Sequence, residues 1–440
     1  MSRDKKSSCG GVDKPSMKSV SRRTLLKGAA VAAGAAIGSK AITGFPTIWA
    51  QELKDITITH VGMSYSTIID IAKQASKDLG FKVEMAVTDH PGFVTRVTTQ
   101  PESVDVADGE IRQRLQIVPR GVIQGLDTKR IKLWDKVTSI YTKGEFAGKQ
   151  ISRSGVSPYE VMYLDSKEGT TFHDGPTEWA TMLPGVYNAD TLGMRPDLMT
   201  RPIESWAELV NPEFKGKTAI QDIPEIGILD AAMALQAAGK VQYADMGEMT
   251  KEEIDKTIDA LIELKKAGHF RALWNTFDQS VQLMAAGEVV IQSMWSPAVT
   301  AVRSQGKPCV YQPLKEGYRG WGNGISIMRH LEGKKLDAAY EYLNWYISGW
   351  MGGFIAKQGY YISVPETAKS FLTEDEWGYW YEGKEAQKDI TNPTGDKMEN
   401  AGAKRDGGSY EERFSKIVVW NTFMKEGVYM NKRWNDFRTA

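Results

Sequence analysis

The most constraining feature of this chain is a strand, a helix and a second strand that follow one another closely near residue 70. Residues 55–61 predict the first strand, and residues 67–79 carry apolar side chains near helical spacing. Gly80 then ends the helix, and apolar and polar side chains alternate over residues 81–87, as in a strand. A strand, a helix and a strand at this spacing form a βαβ unit and imply a parallel sheet. We therefore expect an α/β fold.

The segment 284–328 places two tryptophans beside predicted strands. Residues 288–294 form a β-branched run that predicts a buried parallel strand, and Trp295 follows directly. Trp321 precedes a further predicted strand. In open α/β sheets, ligands bind outside the carboxyl ends of the strands. Both tryptophans are therefore candidates for ligand contact, and burial in the core is the alternative.

Two further segments predict helices. Residues 251–267 carry a stripe of apolar side chains, and Thr250 and Glu253 form a capping box at its start. Residues 414–437 carry apolar side chains at intervals up to Phe437, and we expect one final helix there. The first of these helices has both a start signal and an apolar stripe, whereas the second rests on its apolar residues alone.

The composition indicates a globular protein and weighs against a nucleic-acid partner. The 440 residues favour two domains, and a 41% hydrophobic content allows a large core. The net charge is zero, but residues 1–50 hold nine basic and two acidic residues, so the remainder carries a charge of about −7. This balance favours cationic solutes over nucleic acid or an anionic membrane surface.

The amino-terminal segment is similar to a twin-arginine signal peptide. Arg22 and Arg23 stand in the sequence SRRTLLK, and an alanine- and glycine-rich stretch, residues 28–37, follows. That stretch is too short to span a bilayer as a helix. We predict a signal peptide over residues 1–50, cleavage after Ala50, and a mature protein free in the periplasm. The twin-arginine route carries folded cargo, so an exported enzyme is an alternative.

Reactive motifs are few. Cys9 lies in the leader and Cys309 stands alone, so the sequence predicts no internal disulfide and no Cys/His metal cluster. The chain has no GxSxG, HExxH, P-loop or CxxC motif. We therefore predict that the protein is not an enzyme and binds no cofactor.

Four local patterns occur in one order between residues 205 and 365. They are SWAELVNPEFKGK at 205–217, GEVVIQSMW at 287–295, PLKEG at 313–317 with Trp321 shortly after, and Gly359-Tyr360. With these patterns behind an export signal, the chain resembles the extracellular solute-binding proteins of the polyamine (spermidine/putrescine) importer type. The part before residue 205 matches that family only in its layout.

The resemblance implies a type II periplasmic binding protein fold, with two α/β lobes joined by crossing strands and a cleft between them. We place lobe 1 at 51–182 plus 322–365 and lobe 2 at 183–321 plus 366–440. The 315–317 turn then marks where the chain crosses back between the lobes. Closure of the cleft would bury a small amine solute and present both lobes to an ABC permease in the inner membrane, whose ATPase supplies the energy. We expect a monomer with no nucleic-acid partner.

The resemblance also implies the ligand-binding residues. In this family, aromatic rings line the alkyl chain of a polyamine and carboxylates hold its ammonium ends. By motif match, the acidic pair falls on Asp222 and Glu225, and the aromatic residues fall on Trp295, Trp321 and Tyr360. A helix cap is the alternative role for Asp222, and burial in the core is the alternative for Tyr360.

Several positions depart from the polyamine pattern. Asn323 stands where the family has an acidic residue, Tyr65 lies in the turn that replaces a tryptophan-rich one, and Glu110 and Arg112 stand in a segment that usually offers hydroxyl and aromatic groups. One carboxylate fewer and one arginine more would suit a solute with an amine and an acidic group. An amino acid or an aminophosphonate is therefore an alternative solute, with the acidic pair on the amine and Arg112 on the acid. A solvated surface position is the alternative for Arg112.

Ferric iron is a further alternative, because adjacent tyrosines occur at Tyr360 and Tyr361. Neighbouring strand residues point to opposite faces of a sheet, so only one of the two tyrosines could face the cleft.

Overall fold

The computed structural model describes residues 53–440. The predicted signal peptide, residues 1–50, and its cleavage point after Ala50 lie outside the described residues. Within 53–440, none of the helices combines the length and the apolar character that a membrane crossing requires.

The strands alternate with helices along most of the chain. In chain order they are β1 (Thr57–Gly62), β2 (Lys82–Val87), β3 (Val106–Glu110), β4 (Ile123–Gln124), β5 (Leu126–Asp127), β6 (Glu145–Phe146), β7 (Lys149–Gln150), β8 (Tyr163–Leu164), β9 (Phe172–His173), β10 (Trp179–Ala180), β11 (Leu183–Met194), β12 (Thr218–Gln221), β13 (Phe270–Trp274), β14 (Ile291–Met294), β15 (Val310–Tyr311), β16 (Tyr318–Met328), β17 (Tyr361–Ile362), β18 (Ile390–Thr391), β19 (Lys397–Glu399) and β20 (Ile417–Trp420).

Helices separate many of these strands along the chain. In chain order they are α1 (Ile69–Leu79), α2 (His90–Thr99), α3 (Arg114–Ile117), α4 (Ser139–Thr142), α5 (Pro224–Ala237), α6 (Lys251–Lys266), α7 (Phe277–Ala285), α8 (Ser296–Ser304), α9 (Gly333–Tyr346), α10 (Trp350–Ala356), α11 (Pro365–Ala368), α12 (Glu374–Trp380), α13 (Tyr410–Phe414) and α14 (Gly427–Thr439).

The main sheet consists of two parallel parts joined by two long antiparallel strands. Its path is β13–β12–β14–β11–β16–β3–β1–β2. Strand β1 pairs in parallel with β2 and β3 at one end, and β12 pairs in parallel with β13 and β14 at the other. Strands β11 and β16 pair antiparallel with each other between them. The predicted α/β architecture, with mostly parallel lobes and crossing strands, is confirmed.

The hydrophobic core divides in the same way. One cluster surrounds β1, β2 and β3, and two others surround β12, β13 and β14. We name these the first lobe and the second lobe. Strand β11 contributes to both, because its early residues such as Val186 join the first cluster and Leu192 joins the second. The lobe boundaries given above stay a prediction.

Elements with strong local signals form where the sequence predicts them. Helix α6 begins after Thr250, whose side chain accepts from the Glu253 amide, and the Glu253 carboxylate accepts from the Thr250 amide in return. The predicted βαβ unit near residue 70 corresponds to β1, α1 and β2, with Gly80 in the left-handed conformation at the end of the helix. These signals are local because the capping groups lie within one turn of each other.

The prediction of one helix over residues 414–437 is wrong in its first half. Helix α13 ends at Phe414, and β20 then pairs in parallel with β16. The residues of β20, IVVW, are all apolar because the strand packs into two hydrophobic clusters. Val419 packs into the second lobe and Trp420 into the first. The helix resumes only with α14.

Candidate functional site

Three aromatic rings from distant parts of the chain meet beside the crossing strands. Tyr65 lies in the turn after β1, Trp321 lies in β16, and Tyr360 precedes β17. The ring centroids are 5.0 Å apart for Tyr65 and Trp321, 5.7 Å for Trp321 and Tyr360, and 6.0 Å for Tyr65 and Tyr360. We name these three residues the aromatic cluster. Three of the predicted ligand-binding residues are thus adjacent in the structure.

A buried ion pair forms at the end of β3. Glu110 is the last residue of that strand and lies opposite Asn323 of β16. Arg112 Nε donates to Glu110 Oε2 over 2.6 Å, and both side chains are almost completely buried. The other carboxylate oxygen of Glu110 accepts from the Asn421 amide, in the turn after β20. Both oxygens of Glu110 therefore have partners within the protein.

The electrostatic environment keeps Glu110 ionised. Burial alone would raise the pKa of the Glu110 carboxyl, but Arg112, His90 and the Asn421 hydrogen bond hold that pKa below its ordinary value. His90 lies close by, with its Nδ1 3.6 Å from Glu110 Oε2. Burial lowers the pKa of His90, although the charges of Glu110 and Glu225 act in the opposite direction. Burial therefore favours the neutral imidazole, whereas the two carboxylates favour the charged form.

The guanidinium of Arg112 has unused hydrogen-bonding capacity. Among the described residues, neither of its two terminal nitrogens has a hydrogen-bond partner. Its central carbon lies 4.4 Å from the centre of the Phe423 ring. The side chain also lines a small cavity that has no room for a water molecule. The walls of this cavity are Glu110, Ile111, Arg112, Val156, Trp321, Gly322, Trp420 and Asn421.

The Asn323 side chain joins three segments of the first lobe by hydrogen bonds. Its amide nitrogen donates to Asp108 Oδ1 over 2.6 Å and to Ser66 Oγ over 3.0 Å, and its oxygen accepts from the Val186 amide over 2.6 Å. The side chain is fully buried, and its contacts hold the turn that carries Tyr65 against β3 and β11. An acidic residue here would place a second carboxylate beside Asp108.

The predicted acidic pair has two different environments. Asp222 accepts from Trp434 Nε1 over 2.8 Å and lies 3.1 Å from Arg438 Nε, so α14 engages both of its oxygens. Glu225 lies in the first turn of α5 and is partly buried. Its carboxylate makes no ion pair or hydrogen bond with the other residues in 53–440. Glu225 acts on the pKa of His90, which faces Glu110.

Trp295 belongs to a different aromatic group. It lies in the second lobe immediately before α8, with its ring 5.1 Å from Trp274 and 6.5 Å from Phe277. Within the described part of the chain, no ring contact joins Trp295 to Trp321. Its position at the carboxyl end of β14 agrees with the sequence expectation, but its role in binding stays a prediction.

The adjacent tyrosines diverge. Tyr360 belongs to the aromatic cluster, whereas the Tyr361 hydroxyl donates to the Trp380 carbonyl over 3.0 Å inside the first lobe. Their hydroxyl groups therefore do not meet at one point. Within residues 53–440, no three His, Cys, Asp or Glu side chains are placed so that they could hold a metal ion.

No sequence pattern marked several residues of this site as candidates. Asn421 and Phe423 follow β20, the strand that the expected final helix concealed. Arg319 of β16 donates to Asn421 Oδ1 and to Asp230 Oδ1, each over 2.7 Å, so a buried chain of hydrogen bonds links Glu110 of the first lobe to α5 of the second. Recognition of IVVW as a strand would have placed the following turn at the carboxyl end of the sheet.

Comparisons with known proteins agree with this architecture. The sequence profile of the bacterial extracellular solute-binding proteins matches residues 70–370. A spermidine/putrescine-binding periplasmic protein from Salmonella typhimurium is 26% identical over 187 residues, which are 40% of this chain and 50% of that protein. The chain thus spans about half the length of the curated relatives that it matches.

Two solved structures share the fold. One is the spermidine/putrescine ABC transporter substrate-binding protein from Streptococcus pneumoniae, with a TM-score of 0.60 and 12% identity over 87% of this chain and 98% of that chain. The other is a GABA receptor, with a TM-score of 0.57 and 17% identity over 87% of this chain and 98% of that chain. At these identities the likeness concerns the fold alone.

Proposed function

We propose that this chain, which belongs to the family of bacterial extracellular solute-binding proteins, is the substrate-binding subunit of an ABC importer. The solute that we propose is a polyamine or a related small amine. The names of its relatives support this class of solute, because spermidine, putrescine and GABA all carry an aliphatic primary amine. We further propose that the protein reaches the periplasm by twin-arginine export and delivers its solute to a permease and ATPase in the inner membrane.

The observation that carries this proposal is the aromatic cluster beside buried carboxylates. Tyr65, Trp321 and Tyr360 offer ring faces that can cover the methylene groups of an aliphatic amine. A ring face also attracts an ammonium group by about 0.5–2 kcal/mol. A buried ammonium needs an opposite charge, and Glu225 has no partner among the described residues. Glu110 adds a second carboxylate, although it is already paired.

Solute entry requires movement of the lobes. The gaps in the cavity beside Arg112 are smaller than a water molecule, so a solute of several heavy atoms can enter only when the walls separate. Strands β11 and β16 join the lobes, and rotation about them would open the space between β3 and the turn after β20. Closure over the solute would then remove it from water. Members of this family bind solutes, so we propose capture rather than chemical conversion as the activity.

A thermal unfolding and calorimetry panel tests this proposal. Purified protein is mixed with putrescine, spermidine, 4-aminobutyrate and, as a solute without an amine, maltose. A solute at a hundredfold excess over its Kd should stabilise the folded state by about 2.7 kcal/mol and raise the unfolding temperature. If millimolar concentrations of every amine leave the unfolding temperature where maltose leaves it, the proposal is wrong.

A further inference from the structure

We propose that Arg112 receives an acidic group of the bound solute, so that the site selects a molecule with an ammonium group at one end and a carboxylate or phosphonate at the other. This inference rests on the proposed function, because it names the class of amine within the same site. It assigns Arg112 as the residue that determines specificity.

Arg112 carries a buried guanidinium that is only partly paired. Arg112 is 1% exposed, and its Nε is the atom that Glu110 binds. Its two terminal nitrogens have no hydrogen-bond partner among residues 53–440, and the residue lines the cavity. Buried charged donors without acceptors are costly, so native proteins rarely keep them without a purpose. The planar edge of a guanidinium matches the two oxygens of a carboxylate, or two of the three of a phosphonate.

Two contacts fix the orientation of the guanidinium edge. Phe423 covers one face of the guanidinium at 4.4 Å, and Glu110 holds Nε. These two contacts leave the edge with the terminal nitrogens as the part that can reach a solute. Trp321 and Gly322 line the same cavity, so a bound acid at Arg112 would lie next to the aromatic cluster. The alkyl chain of the solute could then run across the aromatic rings.

Carboxylates without a partner are scarce at this site. A diamine needs two of them, one for each ammonium group. Glu110 already accepts from Arg112 and Asn421, Asp222 is engaged by Trp434 and Arg438, and Asn323 is neutral. Glu225 thus stands alone as a carboxylate without a partner in the described part of this site. A second ammonium would instead approach Arg112, and like charges repel.

The experiment compares solutes that differ only at one end. Putrescine, 4-aminobutyrate and butylamine all have four carbons and an amine at one end. The other end is a second amine in putrescine, a carboxylate in 4-aminobutyrate and a methyl group in butylamine. The amino acids tested form an ω-amino acid series from glycine to 6-aminohexanoate, which includes 4-aminobutyrate. Calorimetry should show that at least one of them binds with a Kd at least tenfold lower than that of the diamine of the same chain length. The matching aminoalkylphosphonates distinguish the two acidic groups.

Substitution of Arg112 identifies the residue responsible. Arg112→Met should weaken binding of the ω-amino acid by about 10- to 100-fold, the range of a hydrogen bond to a charged group. Binding of butylamine should not weaken, because butylamine has no acidic group for Arg112 to hold. Arg112→Lys keeps the charge but loses the planar edge, so it should give an intermediate loss. If Arg112→Met fails to fold because Glu110 loses its partner, the double variant Glu110→Gln/Arg112→Met removes both charges together.

Two outcomes would overturn this inference while amine binding stands. One is tighter binding of the diamine than of the amino acid at every chain length. The other is an equal loss of amino acid and butylamine affinity in Arg112→Met, since that would indicate a structural role. Failure of every amine to bind would refute the proposed function itself, and with it this inference.

Discussion

Replacement of Arg319 by methionine tests whether the lobes are joined by a buried charge network. Arg319 is fully buried, donates to Asp230 and Asn421 over 2.7 Å each, and lies 3.4 Å from Asp190. The Arg319→Met variant would keep the apolar part of the side chain but leave two buried carboxylates without their cation. Removal of one partner from a buried ion pair typically costs about 3–5 kcal/mol. We therefore expect the free energy of unfolding to fall by about that amount at pH 7.

The loss should depend on pH in a defined direction. Burial raises the pKa of Asp190 to about 6 even with Arg319 present, and Arg319 acts to lower it. Because this folded pKa lies above the unfolded value near 4, the folded state binds the proton more tightly, and this group destabilises the protein as pH rises from about 4 to about 6. Without Arg319 the carboxyl should protonate more readily still. The cost of the substitution should therefore be smaller at pH 5 than at pH 7.

Urea unfolding followed by tryptophan fluorescence at the two pH values measures both effects. Arg201 is the matched control, because it also contacts two carboxylates, Glu208 and Glu213, at 2.8 Å but is 40% exposed. Exposed pairs contribute about 0–1 kcal/mol, so Arg201→Met should change the free energy of unfolding by no more than that. If Arg319→Met costs no more than Arg201→Met, the reasoning from burial is refuted.

Three further predictions concern the site and the core. Trp321→Ala should weaken amine binding by about 3- to 30-fold in calorimetry through the loss of ring contact, whereas Trp377→Ala, outside the aromatic cluster, should leave it unchanged. Asn323→Asp conserves shape but sets a carboxylate against Asp108, which its amide contacts at 2.6 Å, so urea unfolding should show a loss of about 2–4 kcal/mol; an unchanged midpoint would contradict this. Cys309 is buried, which raises the pKa of its thiol to about 12, so a thiol reagent at pH 8 should modify it only after unfolding; rapid modification of the folded protein would show that the core around Cys309 opens.

Elements set by local interactions could be predicted from the sequence, whereas elements set by contacts between distant residues could not. Helix α6 was predictable because Thr250 and Glu253 cap its start within one turn. Strand β20 was not, since four apolar residues without alternation suit a buried strand or a buried helix equally. Its conformation follows from pairing with β16, which lies about a hundred residues earlier in the chain. Its two faces then enter different cores.

The candidate site shows the same division between residue type and partner. The sequence alone named Tyr65, Glu110, Arg112, Trp321 and Tyr360 as candidates, and the structure places the three aromatic residues together and pairs the two charged ones. Nothing in the local sequence indicates that Glu110 and Arg112 bind each other. The additional partners come from the turn after β20, more than three hundred residues later.

The sequence by itself determined the chemical groups that this protein can offer and the alternation of strands and helices that carries them. Only the tertiary structure decided which of those groups already have partners. Trp434 and Arg438 contact the carboxylate of Asp222, and Arg112 and Asn421 donate hydrogen bonds to Glu110. The outer edge of the Arg112 guanidinium is left without a partner among the described residues. The physical reason is that hydrogen bonds and ion pairs between distant segments depend on how those segments pack. A local motif records a carboxylate or an arginine, but not the side chain that the fold brings against it.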